Sequence, residues 1–214
     1  ILARETGMSV SNVGIELVKN IPAAGGLGGG SSDAATVVRL LWKVWPEITP
    51  SIAARACEAV GSDVAALANG GTVFAYGRGE IVFRQPDLPT HGVVLFVPSA
   101  TMERKTARMF AALDSLPFDD GSITEALKGR LPCPLRGHDI FNAFERVAFD
   151  MFPGLATLWE ELETRVGEPI HLAGAGPTLF WIGPLRESDA VAARAEGLAC
   201  TVIPTRTSPS LWRR

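Results

Sequence analysis

The sequence predicts a mixed α/β (α+β) protein with two lobes, residues 1–85 and 86–214. Three observations lead to this prediction. Strand-like alternation and helix-like periodicity follow one another along the chain, and the segment 85–89 has the proline-rich composition of a linker. After that linker the predicted elements occur in the order β-α-β-β-α-β. This order is typical of the ferredoxin-like arrangement, which we therefore expect for the second lobe.

The first lobe begins with a stretch that alternates apolar and polar residues from Val13 to Val18, which predicts a half-buried strand. From Ser31 onward apolar residues recur at three- and four-residue spacing, as in a helix with one buried face. Ser31, Ser32 or Asp33 is the expected N-cap, because short polar side chains accept hydrogen bonds from the first turn.

Two further helices and a hairpin complete the first lobe. Thr49-Pro50 is typical of a helix start and Gly61 of its end, while Ser62-Asp63 can cap a short helix through residue 68. Predicted strands at 72–76 and 81–83 are joined by a glycine-rich turn and should form a hairpin.

The second lobe combines four predicted strands with helices that exceed the minimal ferredoxin-like set. The strands cover 93–97, 170–173, 178–182 and 200–203. The helices fall within 102–113, 123–127, 139–152, 155–166 and 187–195. The additional helices are interpreted as insertions into the β-α-β-β-α-β order.

Composition excludes several classes of partner. The chain has 214 residues, 47% hydrophobic and 20% charged, with a formal net charge of −3, so it lacks the excess of Lys and Arg that nucleic acid requires. Its apolar runs are shorter than the roughly 20 residues that cross a bilayer. The three cysteines and the three histidines are scattered along the chain and show no metal-ligand spacing. The cysteines are therefore interpreted as reduced thiols of a cytoplasmic protein. The sequence gives no indication of oligomeric state.

A glycine-rich loop before the first long helix is the main functional signal. Gly25, Gly26, Gly28, Gly29 and Gly30 are five glycines among six residues, and this density lets the backbone adopt positive φ and approach a ligand closely. The helix that follows directs its unpaired N–H groups and positive dipole end to the same place. The combination predicts a phosphate-binding loop.

Two familiar phosphate-binding motifs do not fit this loop. Gly25 and Gly30 have the spacing of a Walker A motif, but Ser31 stands where that motif requires lysine. Gly26 and Gly28 begin a dinucleotide fingerprint, but its third glycine position is again Ser31. A glycine loop that caps the helix and binds nothing is the alternative on these residues alone.

The stretch from Lys19 to Ala35 resembles the phosphate-binding loop of diphosphocytidyl-methylerythritol kinases, a family within the GHMP kinase superfamily. The doubled glycine before the two serines separates that family from most other GHMP kinases. Further stretches similar to the family's segments follow in the right order, at 61–64, 70–80, 105–110, 141–145 and 172–180.

The resemblance implies a two-lobed GHMP kinase fold, with a partial ribosomal-S5-like N-terminal lobe and a ferredoxin-like C-terminal lobe. It implies an ATP-dependent kinase that phosphorylates the 2-hydroxyl of a small cytidine-diphosphate-linked methylerythritol, in the non-mevalonate route to isoprenoid precursors. The ATP-binding residues would be Pro22, Ala23, Ala24, Gly25, Gly26, Leu27, Gly28, Gly29, Gly30, Ser31 and Ser32. Ser31 or Ser32 would lie near Mg²⁺.

The resemblance also implies roles outside the first loop. Asp63 corresponds to the family's catalytic aspartate, although its position at a helix start, taken alone, favours an N-cap. Thr106, Gly174 and Gly176 would lie on the substrate side, and the loop that contains the two glycines would pack beside the first loop. A tight turn between two strands is the alternative for that second loop.

Two segments of the family are not present in this sequence. Its lysine-bearing Pro-Ala-Lys-Ile-Asn-Leu segment and its Asp-Gly-Tyr-His segment have no counterpart, and the chain begins at Ile1 rather than Met. We therefore expect the chain to be a fragment that does not support normal turnover. Two rival hypotheses stay open at this stage: a GHMP kinase for another small alcohol, and a non-catalytic nucleotide-binding protein derived from the same fold.

Overall fold

The computed structural model describes residues 1–11, 13–100 and 102–210, which form two compact units. The first unit consists of the described residues within Ile1–Ile21, Gly28–Asp87 and Pro209–Arg214. The second consists of Pro22–Leu27 and the described residues within Leu88–Ser208. The division after residue 87 lies close to the expected linker, but six residues of the glycine loop belong to the second unit.

The first unit is a helical cluster with a β-hairpin. Its elements are α1 (Leu2–Thr6), α2 (Gly29–Val44), α3 (Pro50–Val60), α4 (Ser62–Asn69), β1 (Val73–Tyr76) and β2 (Ile81–Arg84). Helices α2, α3 and α4 pack on one another around Val38, Ile48, Ala53 and Val64, all of which are buried. The two strands pair antiparallel, which confirms the predicted hairpin.

The ends of α3 follow the sequence signals. The Thr49 hydroxyl accepts a hydrogen bond from the Ile52 amide at 3.3 Å, and Pro50 is the first helical residue. Gly61 ends the helix, and its N–H donates to the Cys57 carbonyl. The predicted start and end of this helix are thus confirmed.

The predicted strand from Val13 to Val18 is wrong. These residues have no regular secondary structure, and Ile15 and Val18 are 66% and 71% exposed. An alternating pattern specifies a strand only where another strand accepts its hydrogen bonds and a core covers its apolar face. Within the described part of the chain, no strand pairs with this stretch.

The predicted helix caps at Ser31, Ser32 or Asp33 and at Ser62-Asp63 are also wrong. Helix α2 begins at Gly29, after Gly28 as N-cap with φ of 66°, so the serines and Asp33 lie inside the helix. Helix α4 similarly follows Gly61 as N-cap without a side-chain hydrogen bond. At Gly28 the left-handed glycine backbone turns the chain into the helix. Neither helix start has a side-chain cap among the described residues.

The second unit is an antiparallel sheet covered by helices. Its strands are β3 (His91–Pro98), β4 (His171–Leu172), β5 (Leu179–Pro184) and β6 (Cys200–Arg206). Its helices are α5 (Lys105–Leu113), α6 (Ser122–Lys128), α7 (Glu145–Met151), α8 (Leu155–Val166) and α9 (Ser188–Arg194). The strand order β4-β5-β3-β6 confirms the ferredoxin-like prediction.

The core of this unit lies between the sheet and the helices. Phe96, Leu162, Leu179 and Trp181 are among its fully buried side chains. The predicted helix at 155–166 is confirmed to the residue, because its four buried positions recur with helical spacing and Gly167 ends it.

The prediction of one helix from 139 to 152 is only partly right. A 3₁₀ turn covers Gly137–Asp139, and α7 begins only at Glu145. Between them the Asn142 side chain accepts a hydrogen bond from the Phe144 amide at 3.0 Å and donates to the carbonyls of Leu172 and Gly174 at 2.9 and 2.8 Å. These contacts with a distant segment replace helical hydrogen bonds, as short polar side chains often do.

Among the helices in the described residues, none has both the length and the apolar character needed to cross a membrane.

Candidate functional site

The N-terminus of α2 carries backbone donors that suit an anion. The first bond inside the helix joins the Ser32 amide to the Gly28 carbonyl at 2.9 Å. The preceding amides of Gly29, Gly30 and Ser31 have no acceptor among the described residues. A Cβ atom added to Gly30 would meet nothing within 4 Å, so a ligand can approach this backbone from open space. Free amides at the positive end of a 16-residue helix are a site for a phosphate group.

The preceding part of the loop, Pro22–Leu27, is held tightly in the second unit. Ala24 and Gly26 have φ angles of 59° and 85°, the left-handed region that L-residues avoid. A side chain at Gly26 would collide with the Ala173 carbonyl and come within 2.9 Å of the Gly176 amide. Only glycine permits this approach.

The two glycine loops are in contact within the second unit. The Thr178 amide donates to the Gly25 carbonyl at 3.2 Å, and a Cβ atom at Gly174 would lie 2.7 Å from the Gly26 carbonyl. The second loop is also a tight turn, in which the Ala173 amide donates to the Thr178 carbonyl at 2.9 Å. The second loop therefore packs beside the first loop and also forms a tight turn, the two alternatives that the sequence left open.

Lys105 joins the two loops through its ammonium group. Its Nζ atom donates to the Ala24 carbonyl at 2.8 Å and also to the Gly176 carbonyl. The residue is only 9% exposed, and burial lowers the pKa of its amine below the ordinary value. Among the described residues it has no carboxylate partner. A buried cation held only by carbonyl groups lies against the loop expected to bind phosphate.

Sequence reasoning did not assign a role to Lys105. Its two acceptors are 81 and 71 residues away along the chain, a separation at which periodicity gives no information. The sequence does contain one indication: Lys105 begins the segment 105–110 that resembles the family, directly before Thr106, the residue that was placed on the substrate side.

Asp63 lies in the first turn of α4, where it is exposed. Its carboxylate has no hydrogen-bond or ion-pair partner among the described residues, so the capping alternative does not apply. Leu67 follows Asp63 by four residues and shares its face of the helix, and its Cδ1 atom lies 3.7 Å from a Cβ atom added to Gly28. The face of α4 that carries Asp63 therefore adjoins the N-cap of α2 within the first unit.

The remaining residues chosen from the sequence differ in what they offer a ligand. Thr106 is exposed in the first turn of α5, with no polar partner among the described residues. Gly174 is exposed, and its amide has no acceptor there either. Gly176 is buried, and its amide donates to the Ala173 carbonyl at 2.8 Å. Gly176 thus serves the packing of the two loops rather than presenting a donor to solvent.

Around the start of α2 the charged side chains pair with each other. Lys19 forms an ion pair with Asp33, and both side chains are partly exposed. The half-buried Ser31 and Ser32 offer hydroxyl groups in the same turns. Among the residues that the structure describes, no three His, Cys, Asp or Glu side chains cluster as a metal site. A metal at this helix would depend on serine hydroxyls and on the ligand's own oxygens.

Comparison with known proteins gives consistent similarities. The sequence profile of the GHMP kinases N terminal domain matches residues 1–78. A 4-diphosphocytidyl-2-C-methyl-D-erythritol kinase of Dehalococcoides mccartyi is 40% identical over 178 residues, 79% of this chain and 61% of that protein. Proteins of the same name in Petrotoga mobilis and Pelotomaculum thermopropionicum are 34% and 32% identical, over 83% and 96% of this chain and 70% and 73% of their own length. The chain spans about 61% of the length of the Dehalococcoides relatives.

Solved structures agree with this similarity. A crystal structure of 4-(cytidine 5'-diphospho)-2C-methyl-D-erythritol kinase aligns with a TM-score of 0.66 and 25% identity, over 88% of this chain and 68% of that one. A homoserine kinase from Cytophaga hutchinsonii aligns with a TM-score of 0.59 but 14% identity, over 90% of this chain and 68% of its own, and this likeness concerns the fold alone. The expected GHMP kinase fold class is confirmed.

Proposed function

The chain belongs to the 4-diphosphocytidyl-2-C-methyl-D-erythritol kinase family, and from this premise we propose that it serves ATP-dependent phosphorylation of the 2-hydroxyl of that substrate. The product would feed the non-mevalonate route to isoprenoid precursors. Since the chain spans only part of several relatives, its ATP binding and its turnover are separate questions with separate measurements.

The observation that carries this proposal is the start of α2. Three backbone amides lack acceptors among the described residues, directly after the family's glycine loop, and the space beside the Cα atom of Gly30 is open. Phosphoryl transfer depends mainly on holding the phosphates and stabilising their charge, and amides at a helix N-terminus do both. The residues from Pro22 to Ser32 are therefore proposed to hold the triphosphate of ATP.

Asp63 is proposed to orient or deprotonate the attacking hydroxyl of the acceptor. An exposed carboxylate with no partner among the described residues is available for this work, and it shares a helix face with Leu67 beside Gly28. A carboxylate in this role must come within hydrogen-bond reach of the hydroxyl it activates. Thr106 and Gly174 are proposed to lie on the acceptor side, while the buried Gly176 holds the second loop.

Mg²⁺ is proposed to accompany ATP. The ion ordinarily keeps several waters and takes few protein ligands beside phosphate oxygens, which fits hydroxyl donors such as Ser31 and Ser32. When bound with the nucleotide, it would neutralise the charge that develops on the phosphates. The two serines lie in the early turns of α2, beside the amides without acceptors among the described residues.

Two lobes, divided near residue 86, and a cytoplasmic location complete the proposal. The two compact units support the division, with the amendment that residues 22–27 pack with the second. Free thiols at Cys57, Cys133 and Cys200 support a reducing compartment.

The test combines nucleotide binding with phosphoryl transfer. Calorimetric titration of the chain with Mg²⁺-ATP measures binding. Transfer of labelled γ-phosphate to 4-diphosphocytidyl-2-C-methyl-D-erythritol measures turnover, both by the chain and by a version extended at its N-terminus with the family's lysine-bearing segment. In the version that shows transfer, we expect Asp63→Asn to lower it by about a hundredfold or more, as loss of an acid–base group does, while the Kd for ATP changes little. Because the carboxylate is exposed and has no partner in the described part of the chain, we also expect an unchanged unfolding midpoint.

Asp150→Asn is the matched control, since Asp150 is an exposed aspartate on α7. Absence of ATP binding would contradict the nucleotide assignment. Binding of ATP with transfer to another alcohol, such as homoserine, would instead contradict the acceptor.

A further inference from the structure

Lys105 occupies an unusual place in the second unit. A lysine side chain loses much of its conformational freedom when it is fixed, and burial further disfavours its charge. Such a residue is rarely buried unless specific partners compensate for both effects. Here the partners are one carbonyl from each glycine loop, Ala24 and Gly176.

The backbone at both ends of this contact is strained. Ala24 and Arg104 have φ angles of 59° and 51°, and they are the two non-glycine residues with positive φ in the described part of the chain. Ala24 supplies one of the carbonyls that Lys105 binds, and Arg104 directly precedes Lys105. A non-glycine residue in this region is strained and persists only where its surroundings hold it there.

We propose that Lys105 is a positioning residue that fastens the two glycine loops together and thereby fixes the conformation in which Pro22–Leu27 binds a nucleoside triphosphate. The ammonium group donates hydrogen bonds to the carbonyl of the strained Ala24 and to that of Gly176. The backbone hydrogen bond from Thr178 to Gly25 is a further contact between the two loops. The nucleotide part of this inference rests on the proposed function, whereas the fastening of the loops does not.

Amide hydrogen exchange measured by NMR tests the fastening without any ligand. The Thr178 amide donates to Gly25 in the other loop, so its exchange reports separation of the two loops, and the Gly176 amide donates to Ala173, so its exchange reports opening of the second loop itself. We expect Lys105→Met to accelerate exchange at both amides by at least tenfold, a change that corresponds to loss of one hydrogen bond with a charged group. Lys105→Arg, which keeps the charge and the donors, should restore most of the protection.

Lys43→Met is the matched control, because Lys43 is exposed on α2 and the same substitution there should leave both amides unchanged. If Lys105→Met does not fold, Lys105→Gln removes the charge but keeps a shorter polar chain, and it should change exchange in the same direction. Unchanged exchange at Thr178 and Gly176 in the folded variant would overturn the fastening role.

A double-mutant cycle tests whether Lys105 holds the strain at Ala24. Glycine adopts positive φ readily, so Ala24→Gly removes the strain that the lysine opposes. We expect Lys105→Met to accelerate exchange less in the Ala24→Gly background than in the original one. Equal acceleration in both backgrounds would overturn the link between the two residues.

Calorimetric titration with Mg²⁺-ATP tests the nucleotide part. Lys105→Met should raise the Kd about tenfold or more, Lys105→Arg should bring it back towards the original value, and Lys43→Met should not change it. Faster loop exchange with an unchanged Kd would overturn the positioning role. If the unaltered chain binds no ATP, the proposed function fails, and the exchange measurements still decide the fastening of the loops.

Discussion

Gly26 and Gly30 lie four residues apart in the same loop, yet the structure requires glycine at only one of them. Gly26 has positive φ and lies against the carbonyl of Ala173 and the amide of Gly176. Gly30 lies within α2, its φ is not positive, and the space beside it is open. The first glycine is needed for packing, whereas the second leaves room for a ligand.

This contrast makes the two positions a matched pair. Gly26→Ala should destabilise the protein by about 1–3 kcal/mol, because the strained backbone and the close approach both disfavour a side chain. Gly30→Ala should leave the free energy of unfolding unchanged or raise it by up to about 1 kcal/mol, since alanine favours the helix. Urea denaturation measures both effects.

The substitutions at Gly26 and Gly30 also distinguish an effect on protein stability from an effect on ATP binding. If phosphate approaches α2 beside Gly30, the added methyl group of Gly30→Ala should weaken ATP binding without any loss of stability. A variant with both normal stability and normal ATP affinity would show that the ligand does not approach there.

The 3₁₀ turn at Gly137–Asp139 is a small element whose stability depends on one buried carboxylate. Burial acts to raise the pKa of Asp139, but the ion pair with Arg130 and a hydrogen bond from the Arg136 amide at 2.9 Å outweigh it. The pKa of this carboxyl is therefore below its ordinary value. Between the two values the unfolded chain binds more protons than the folded one, so stability rises with pH across that range.

We expect Asp139→Asn to lower the free energy of unfolding by about 1–3 kcal/mol near neutral pH, where the charged hydrogen bonds are complete. The difference from the unaltered protein should shrink as the pH falls below about 4, because the carboxyl group then takes up a proton first in the unfolded chain and, at lower pH, in the native one. Urea denaturation near neutral pH and again at about pH 3 measures it. A difference that is the same at both values would contradict the role of the charge, and Asp150→Asn again serves as the control.

Elements governed by local patterns were predictable, and elements governed by distant contacts were not. Helix α8 and the hairpin follow from spacing and turn residues that lie inside them. The break before α7 depends on bonds from Asn142 to Leu172 and Gly174, about 30 residues away, which no local pattern contains. The stretch from Val13 to Val18 has the alternation of a strand but no partner strand in the described chain.

The candidate site divides in the same way. The glycine loop and Asp63 could be proposed from the sequence because their residues lie close together or match a known motif. Lys105 could not, because its contacts are with two carbonyls in distant loops. Gly176 was proposed from the resemblance alone, and no sequence pattern indicates that its buried amide donates to the Ala173 carbonyl within the turn.

At the scale of the whole molecule, each compact unit has a hydrophobic core of its own. Ile48 is 1% exposed in the core of the first unit, and Leu162 is fully buried in that of the second. Replacing either residue with alanine should cost about 2–5 kcal/mol, from lost burial and from the cavity left behind. Because the cores are separate, we expect each substitution to weaken mainly the unit that contains it.

Hydrogen exchange followed by mass spectrometry measures this distribution. Ile48→Ala should lower protection in peptides of the first unit, and Leu162→Ala in peptides of the second. Leu40→Ala, at an exposed apolar position on α2, should change little and serves as the control. Equal loss of protection throughout the chain from either core substitution would mean that the two units unfold together.

The stretch from 13 to 20, which pairs with no strand in the described chain, has a practical consequence for handling the protein. Endopeptidases take their substrates as extended chains with free backbone groups, and they cut exposed segments far faster than folded elements. Ile15, Leu17 and Val18 present apolar side chains in that form. A single cut there would leave α1 held to the rest of the protein only by noncovalent contacts such as its packing on α3, so protease inhibitors belong in every buffer from cell lysis onward.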